Sequence, residues 1–190
     1  MATSIYSRTS TGIITDGLAY HPDFINEEEE HRLVEAIERL EFSEVRMHGI
    51  VAKRRVAHFG WNYGYETWRI SPGPPVPEFL LPLRARVAEL LKIEAAAFEE
   101  VLVTEYPPGA VIGWHRDAPM FGPAVVGVSL LAVCRMRFQR GKGTDRETYA
   151  LPVEPRSAYV LSGPARSEWQ HSIPPVKSLR YSVTFRTLRA

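Results

Sequence analysis

His115 and Asp117 stand two residues apart after Val111-Ile112-Gly113-Trp114. In a strand, residues i and i+2 point to the same face, so this short stretch presents an imidazole and a carboxylate side by side. His171 follows 54 residues after Asp117, at the start of the last strand-rich stretch, and offers a third ligand. Two histidines and one carboxylate on one side of a metal, with open positions opposite, suit non-haem iron(II) and its oxygen chemistry. The same donors also suit zinc and hydrolysis. A His two residues from an Asp is common as a surface pair, so the pair gains weight only from what accompanies it. His21, His31, His48 and His58 have no comparable partner and read as ordinary structural residues.

The accompanying feature is Arg180-Tyr181-Ser182-Val183-Thr184-Phe185-Arg186. As a strand it puts Arg180, Ser182, Thr184 and Arg186 on one face and Tyr181, Val183 and Phe185 on the other. In an ordinary half-buried strand the polar face looks at water. In a small barrel the same face aims two guanidinium forks inward at a bound dicarboxylate, which arginine holds through paired, charge-assisted hydrogen bonds. The zinc reading leaves this arginine pair unexplained.

With these residues the sequence resembles the AlkB family of 2-oxoglutarate oxygenases. The matching pieces are Tyr106-Pro107-Pro108-Gly109-Ala110 leading to His115-Arg116-Asp117, then His171, then Leu179 and the Arg180 to Arg186 strand. The resemblance covers about Val101 to Arg186, with weaker similarity from Arg54 to Tyr65. It implies an α+β fold, a double-stranded β-helix (jelly roll) with N-terminal helices packed on its outer face. It further implies iron(II) on His115, Asp117 and His171, and 2-oxoglutarate held by Arg180, with Arg186 and Tyr106 supporting its carboxylates. Thr104 and Ser182 fall where well-known members carry asparagine, so their hydroxyls supply only part of that hydrogen bonding. The implied enzyme consumes 2-oxoglutarate and dioxygen, releases succinate and carbon dioxide, and oxidatively demethylates or hydroxylates alkylated DNA or RNA, in the manner of DNA repair. Repair members usually place acidic residues just after the metal aspartate, where one can read an alkylated base. Here Ala118, Pro119 and Met120 follow instead, which weakens the repair inference without touching the oxygenase chemistry.

A substrate face is suggested by Arg46 to Arg69, where five Lys or Arg face one acid among Phe59, Trp61, Tyr63, Tyr65 and Trp68. Charge interleaved with aromatic faces suits phosphate contact and base stacking. Arg54, Arg55, Trp61, Tyr63 and Tyr65 are the candidate contacts to a single-stranded or flipped-base nucleic acid, with positions 59, 61, 63 and 65 sharing one face of a single strand. The same aromatics could equally be the inward face of a core strand. Arg135 to Arg146 is a second basic segment. The competing functions are an oxygenase acting on a protein side chain or small molecule, and a catalytically silent barrel that binds nucleic acid.

These residues need elements to position them. Asn26 before Glu27-Glu28-Glu29-Glu30 reads as an N-cap with acids against the positive end of a helix, whose apolar stripe is Leu33, Val34, Ile37 and Leu40. The acid run itself reads as solvated scaffold. Ser71 to Pro77 is a proline-rich loop, and a second helix is expected from Pro77 to about Lys92 with Leu83, Val87, Leu90 and Leu91 inward. From Val101 onward, short β-branched and aromatic runs broken by Pro and Gly indicate a barrel or jelly roll. Gly141-Lys142-Gly143-Thr144 is a hairpin turn rather than a phosphate loop, which would need an earlier glycine.

A chain of 190 residues with 45% hydrophobic content supports one sizeable core. The expected organisation is one domain over 1–190, with 1–100 a helical and substrate-facing extension and 101–190 the main part of the β-helix. Basic and acidic residues number 23 and 22, so the whole-protein field attracts neither phosphate nor lipid, and such attraction must be local. Cys134 is the only cysteine, which excludes an internal disulfide and multi-cysteine metal sites and fits a reducing compartment. No apolar run approaches a membrane span. The expectation is a cytoplasmic monomer with no membrane partner.

Overall fold

The structure is a computed structural model that describes residues 12–47, 49–64 and 66–189. In chain order its first elements are β1 (Gly12–Thr15), β2 (Leu18–His21), α1 (Glu27–Ile37), β3 (Ser43–Met47), β4 (Ile50–Phe59), β5 (Trp61–Gly64), β6 (Arg69–Pro72) and α2 (Leu81–Leu91). There follow β7 (Glu100–Tyr106), β8 (Ile112–His115), β9 (Phe121–Leu130), β10 (Cys134–Arg140), β11 (Glu147–Val153), β12 (Ala158–Ser162), α3 (Gly163–Ser167), β13 (Gln170–Ile173) and β14 (Arg180–Leu188). A major sheet runs β1-β2-β12-β9-β14-β7-β4-β3, a minor sheet runs β11-β10-β13-β8, and β5 with β6 forms a separate hairpin. Every pairing is antiparallel. This is the two-sheet jelly roll that the sequence texture calls for.

The major sheet has two faces of opposite duty. Tyr181, Val183 and Phe185 of β14 join Val101 and Val103 of β7 and Val126 and Val128 of β9 in a core that also takes Leu33, Val34 and Ile37 of α1 and Leu83 and Val87 of α2. The two N-terminal helices therefore cover the outer face. Fully burying each of these side chains stabilises the fold by about 1.5–3 kcal/mol. The alternate residues of β14, Ser182, Thr184 and Arg186, look the other way, into a cavity between the two sheets. The period-2 pattern thus separates scaffold from site within one strand.

Asn26 forms a reciprocal capping box with Glu29: the Glu29 amide donates to Asn26 at 2.8 Å and the Asn26 amide to Glu29 at 2.9 Å. Replacing such a cap by alanine costs about 1 kcal/mol. The acid run is not wholly solvated, however. Glu30 is buried, accepting from the Leu131 amide at 2.8 Å and from Arg156 at 3.0 Å, and so ties α1 to the end of β9. A short 3-10 turn, Glu78–Leu80, precedes α2, which ends at Lys92 in the left-handed region. Leu83 and Val87 are buried, while Leu90 and Leu91 pack only partly against the core.

Residues before position 100 supply four of the eight major-sheet strands, so they form much of the barrel itself, not only a helical extension. The aromatic run is also divided. Gly60 adopts φ +76°, ending β4, and Phe59 is buried in the helix-facing core. Only Trp61 and Tyr63 continue on β5, and Tyr65 lies outside the described residues. A continuous four-ring wall does not form, because the chain turns at a position where a side chain would be strained. Cys134 is buried among apolar neighbours. No helix is long and apolar enough to cross a membrane.

Candidate active site

His115 ends β8 and pairs directly with His171 of β13, their ring centres 4.2 Å apart. Asp117 follows just after β8 has ended, and its Oδ2 lies 3.9 Å from His171 Nε2. One ligand atom from each of the three residues lies within 4.8 Å of the others. The His115 Nδ1 sits 2.9 Å from the Gly113 carbonyl. In the tautomer that donates there, Nε2 keeps the lone pair that a metal requires.

The protonation states suit metal binding. Burial, with His115 beside it, pushes the His171 imidazole down to about 3, and burial lowers His115 as well. Burial alone would raise the Asp117 carboxyl, but Arg186, His171 and His115 offset this and hold it well below the carboxylate range. Two neutral imidazoles and one carboxylate are the forms that ligate.

Asp117 is anchored twice. Arg186 donates to its Oδ1 at 2.9 Å, and Arg166 donates to its backbone carbonyl at 3.1 Å and to that of Ala118 at 2.8 Å. Arg186 also donates to Glu100 at 3.0 and 3.2 Å, directly across from it in the β14–β7 register. Glu100 is fully buried and meets His58 Nδ1 at 3.3 Å.

Arg180, at the other end of β14, has no exposed surface. Its Nε donates to Ser129 at 3.1 Å, and both terminal nitrogens are buried without a hydrogen-bond partner in the protein. It lies behind the cavity wall: its Cζ is 5.0 Å from the centre of the Tyr106 ring, and Tyr106 lines the cavity. A buried guanidinium with two unpaired N–H2 groups costs free energy unless an acceptor arrives, and a carboxylate is the acceptor that fits a fork.

The cavity is about 310 Å³. Thr104 and Ser182, which face each other across β7 and β14, line it together with Tyr106 and Tyr159. Burial pushes the Tyr159 phenol up to about 12. This ring lies so close over Gly127 that it leaves no room for a Cβ there. Val125, Met136, Leu161 and Ile173 form an apolar flank that limits water.

The five candidate substrate contacts separate. Arg54 is buried and lines the cavity, its Nη1 donating to the Val111 carbonyl at 3.3 Å. Arg55 lies on the opposite face of β4, bound to Glu105 at 2.5 and 3.0 Å, with its Cζ 5.7 Å from the Phe42 ring centre. Adjacent strand residues cannot share a face, so the two arginines cannot form one phosphate contact. Tyr63 lines the cavity and packs at 5.8 Å on Phe121; Trp61 does not line it. Sequence reasoning missed Ser129, Glu100, Arg166 and Tyr159, and it gave the cavity-lining Trp114 no role. Ser129 had a signal, as the one hydrophilic residue in the apolar run Ala124 to Leu130.

The 2OG-Fe(II) oxygenase superfamily model matches residues 17–186. An alkylated DNA repair protein ALKBH8 homolog of Arabidopsis thaliana is 30% identical over 182 residues, covering 83% of this chain and 51% of the relative. The DNA oxidative demethylase ALKBH2 of Homo sapiens is 31% identical over 144 residues, covering 68% of this chain and 53% of the relative.

This chain belongs to the AlkB family of the 2OG-Fe(II) oxygenase superfamily.

The superfamily is named for 2-oxoglutarate and iron(II), and the cluster of His115, Asp117 and His171 has the donors to hold such a metal. The chain spans about half the length of these two relatives. Among solved structures, OsALKBH1 superposes with a TM-score of 0.73 at 15% identity, covering 93% of this chain and 99% of that one. A Pseudomonas putida prolyl-4-hydroxylase superposes at 0.67 and 16% identity, covering 92% and 94%. Both share the double-stranded β-helix.

Proposed function

We propose that this AlkB-family enzyme binds iron(II) through His115, Asp117 and His171, anchors 2-oxoglutarate through Arg180, and oxidises an alkyl group on nucleic acid. The observation that carries the reading is the conjunction of a three-ligand cluster lining one jelly-roll cavity with a buried Arg180 guanidinium, both terminal nitrogens without a hydrogen-bond partner, behind the Tyr106 wall of that cavity. The bound metal and cosubstrate supply oxidative decarboxylation to succinate and carbon dioxide, coupled to insertion of oxygen into a substrate C–H bond.

The chain's own residues do the positioning. Arg186 holds Asp117 charged and fixed in direction, and Glu100 holds Arg186. Tyr106, Thr104 and Ser182 bring hydroxyl groups to the side of the cavity nearest Arg180, and Arg186 bounds it at the Asp117 end. The apolar flank keeps water from the reacting carbon. Nucleic acid is supported by the names of the relatives, among them ALKBH2 as a DNA oxidative demethylase and a probable RNA/DNA demethylase ALKBH6 of Danio rerio. Arg54 and Tyr63 inside the cavity, and the exposed Trp68 and Trp114 at its lining, suit a flipped base. The reading extends to action as a monomer in the cytoplasm, with DNA repair as one outlet of this chemistry.

The test is succinate formation by iron-loaded protein with and without methylated single-stranded DNA and RNA. Stimulation by either supports the reading. Stimulation only by peptides or small molecules moves the substrate to the other oxygenase class.

A further inference from the structure

The two sheets are covered unequally. Helices α1 and α2 pack on the outer face of the major sheet, whereas the outer face of the minor sheet stays open, with Arg135 and Thr148 exposed on it. Strand period decides what that face carries. Met136 and Phe138 of β10 point into the core, so Arg135, Arg137 and Gln139 point outward. Across the register, Arg137 stands opposite Ser172 of β13 and Ala150 of β11, and Gln139 opposite Gln170 and Thr148. None of these outward positions holds an acid.

Two arginines of this face are therefore uncommitted to carboxylates. Arg137 donates through Nε to Ser172 at 3.2 Å and lays its guanidinium on the Trp114 ring, Cζ 5.1 Å from the ring centre. Among the described residues, neither it nor Arg135 forms an ion pair. Arg140, at the end of the same strand, differs: Glu147 accepts from it at 3.0 Å and Glu168 at 3.3 Å.

Trp114 joins this face to the active site. It lies on the edge strand β8 one residue before His115, is 38% exposed, lines the cavity and carries Arg137 on its ring. A strand whose base enters the cavity and which leaves over Trp114 meets Arg137 and then Arg135. Residues i and i+2 of a β-strand lie about 6.6 Å apart, the scale of successive phosphates in an extended single strand.

We propose that the outer face of the minor sheet is a phosphate track, on which Arg135 and Arg137 hold the single strand flanking the base in the cavity. This rests on the nucleic-acid reading above. Cations that face water without a carboxylate draw a polyanion by releasing its counterions. Apart from Trp114 the face offers no large apolar side chain to a bilayer. Its continuity with the cavity mouth favours the substrate's own strand over an unrelated acidic protein.

The test is fluorescence anisotropy of the iron-loaded protein with unmodified single-stranded DNA across a range of salt. One strand is a tetranucleotide that does little more than fill the cavity, and the other has about fifteen nucleotides, enough to run beyond it. Each single-strand phosphate contact adds about 0.7 to the slope of log affinity against log salt, which at about 50 mM salt is worth about eightfold. Arg135→Gln and Arg137→Gln should each weaken the long strand by about that factor and flatten its slope by about 0.7, leaving the tetranucleotide unchanged. Arg137 also packs on Trp114 and Ser172, so the exposed Arg135 keeps the test decisive should Arg137→Gln not fold. Unchanged affinity and slope for the long strand in folded Arg135→Gln overturn the track and leave the nucleic-acid reading standing. An equal loss for the tetranucleotide also overturns it, by placing the effect inside the cavity. So does binding of polyglutamate, or of phosphatidylserine vesicles, that matches the long strand and falls equally in Arg135→Gln, because the face then takes any polyanion. If the parent binds neither strand at low salt, both readings fall.

Discussion

Replacing Arg180 tests whether the buried fork is there for a carboxylate. The side chain has no exposed surface, spends only Nε on Ser129, and leaves both terminal nitrogens without a protein acceptor. Removing one member of a buried ion pair costs about 3–5 kcal/mol. No solvent screening discounts that figure at a fully buried position. At 1.4 kcal/mol per factor of ten, it corresponds to a half-saturating 2-oxoglutarate concentration raised about 10²- to 10⁴-fold in Arg180→Gln. Arg180→Lys should recover only part of this, because a single ammonium cannot present two parallel N–H donors. The assay is an anaerobic titration of iron(II)-loaded protein with 2-oxoglutarate, following the visible charge-transfer band, with circular dichroism to verify the fold. Because Arg180 sits behind the Tyr106 ring, the parent titration should also change Tyr106 fluorescence or its proton resonances. A half-saturating concentration within threefold of the parent in folded Arg180→Gln would refute the argument and send the cosubstrate to the cavity-lining Arg54 instead.

Four further outcomes are expected. His115→Ala, Asp117→Ala and His171→Ala should each abolish iron retention, measured by metal analysis after gel filtration, with the fold intact; zinc-supported activity in the parent would contradict the iron assignment. Phe59→Ala should cost about 3–5 kcal/mol in denaturant unfolding, because Phe59 lies in the helix-facing core, whereas Tyr63→Phe should leave stability nearly unchanged and act on substrate turnover. Glu100→Ala breaks a largely buried pair with Arg186 and should destabilise the protein by about 3–5 kcal/mol; a loss below about 1 kcal/mol would mean that Glu100 is not needed to hold Arg186. The metal-free protein should lose stability as pH falls from about 6.5 toward the His171 value of about 3, since across that window the unfolded chain takes up a proton that the buried imidazole refuses. Thermal melts that are flat across this range would contradict a neutral His171.

The parts of the site that were legible in the sequence are those where chemistry coincides with strand period. Arg180 to Arg186 alternates so regularly that its cavity face and its core face separate by spacing alone, and the structure sends Tyr181, Val183 and Phe185 to the helices and Ser182, Thr184 and Arg186 to the cavity. The asparagine cap of α1 was legible for the same reason, being a local rule. Illegible were the pairings that cross strands, because register is a tertiary fact. Nothing local says that Glu100 will stand opposite Arg186, or that Ser129 on the neighbouring β9 will meet Arg180. The aromatic run failed at a single glycine. The spacing 59, 61, 63, 65 assumes one uninterrupted strand, and Gly60 at φ +76° turns Trp61 and Tyr63 into another sheet. Arg54 and Arg55 show the same limit in charge. As neighbours in sequence they read as one basic patch, but the pleat sends one into the cavity and the other to Glu105 on the outside.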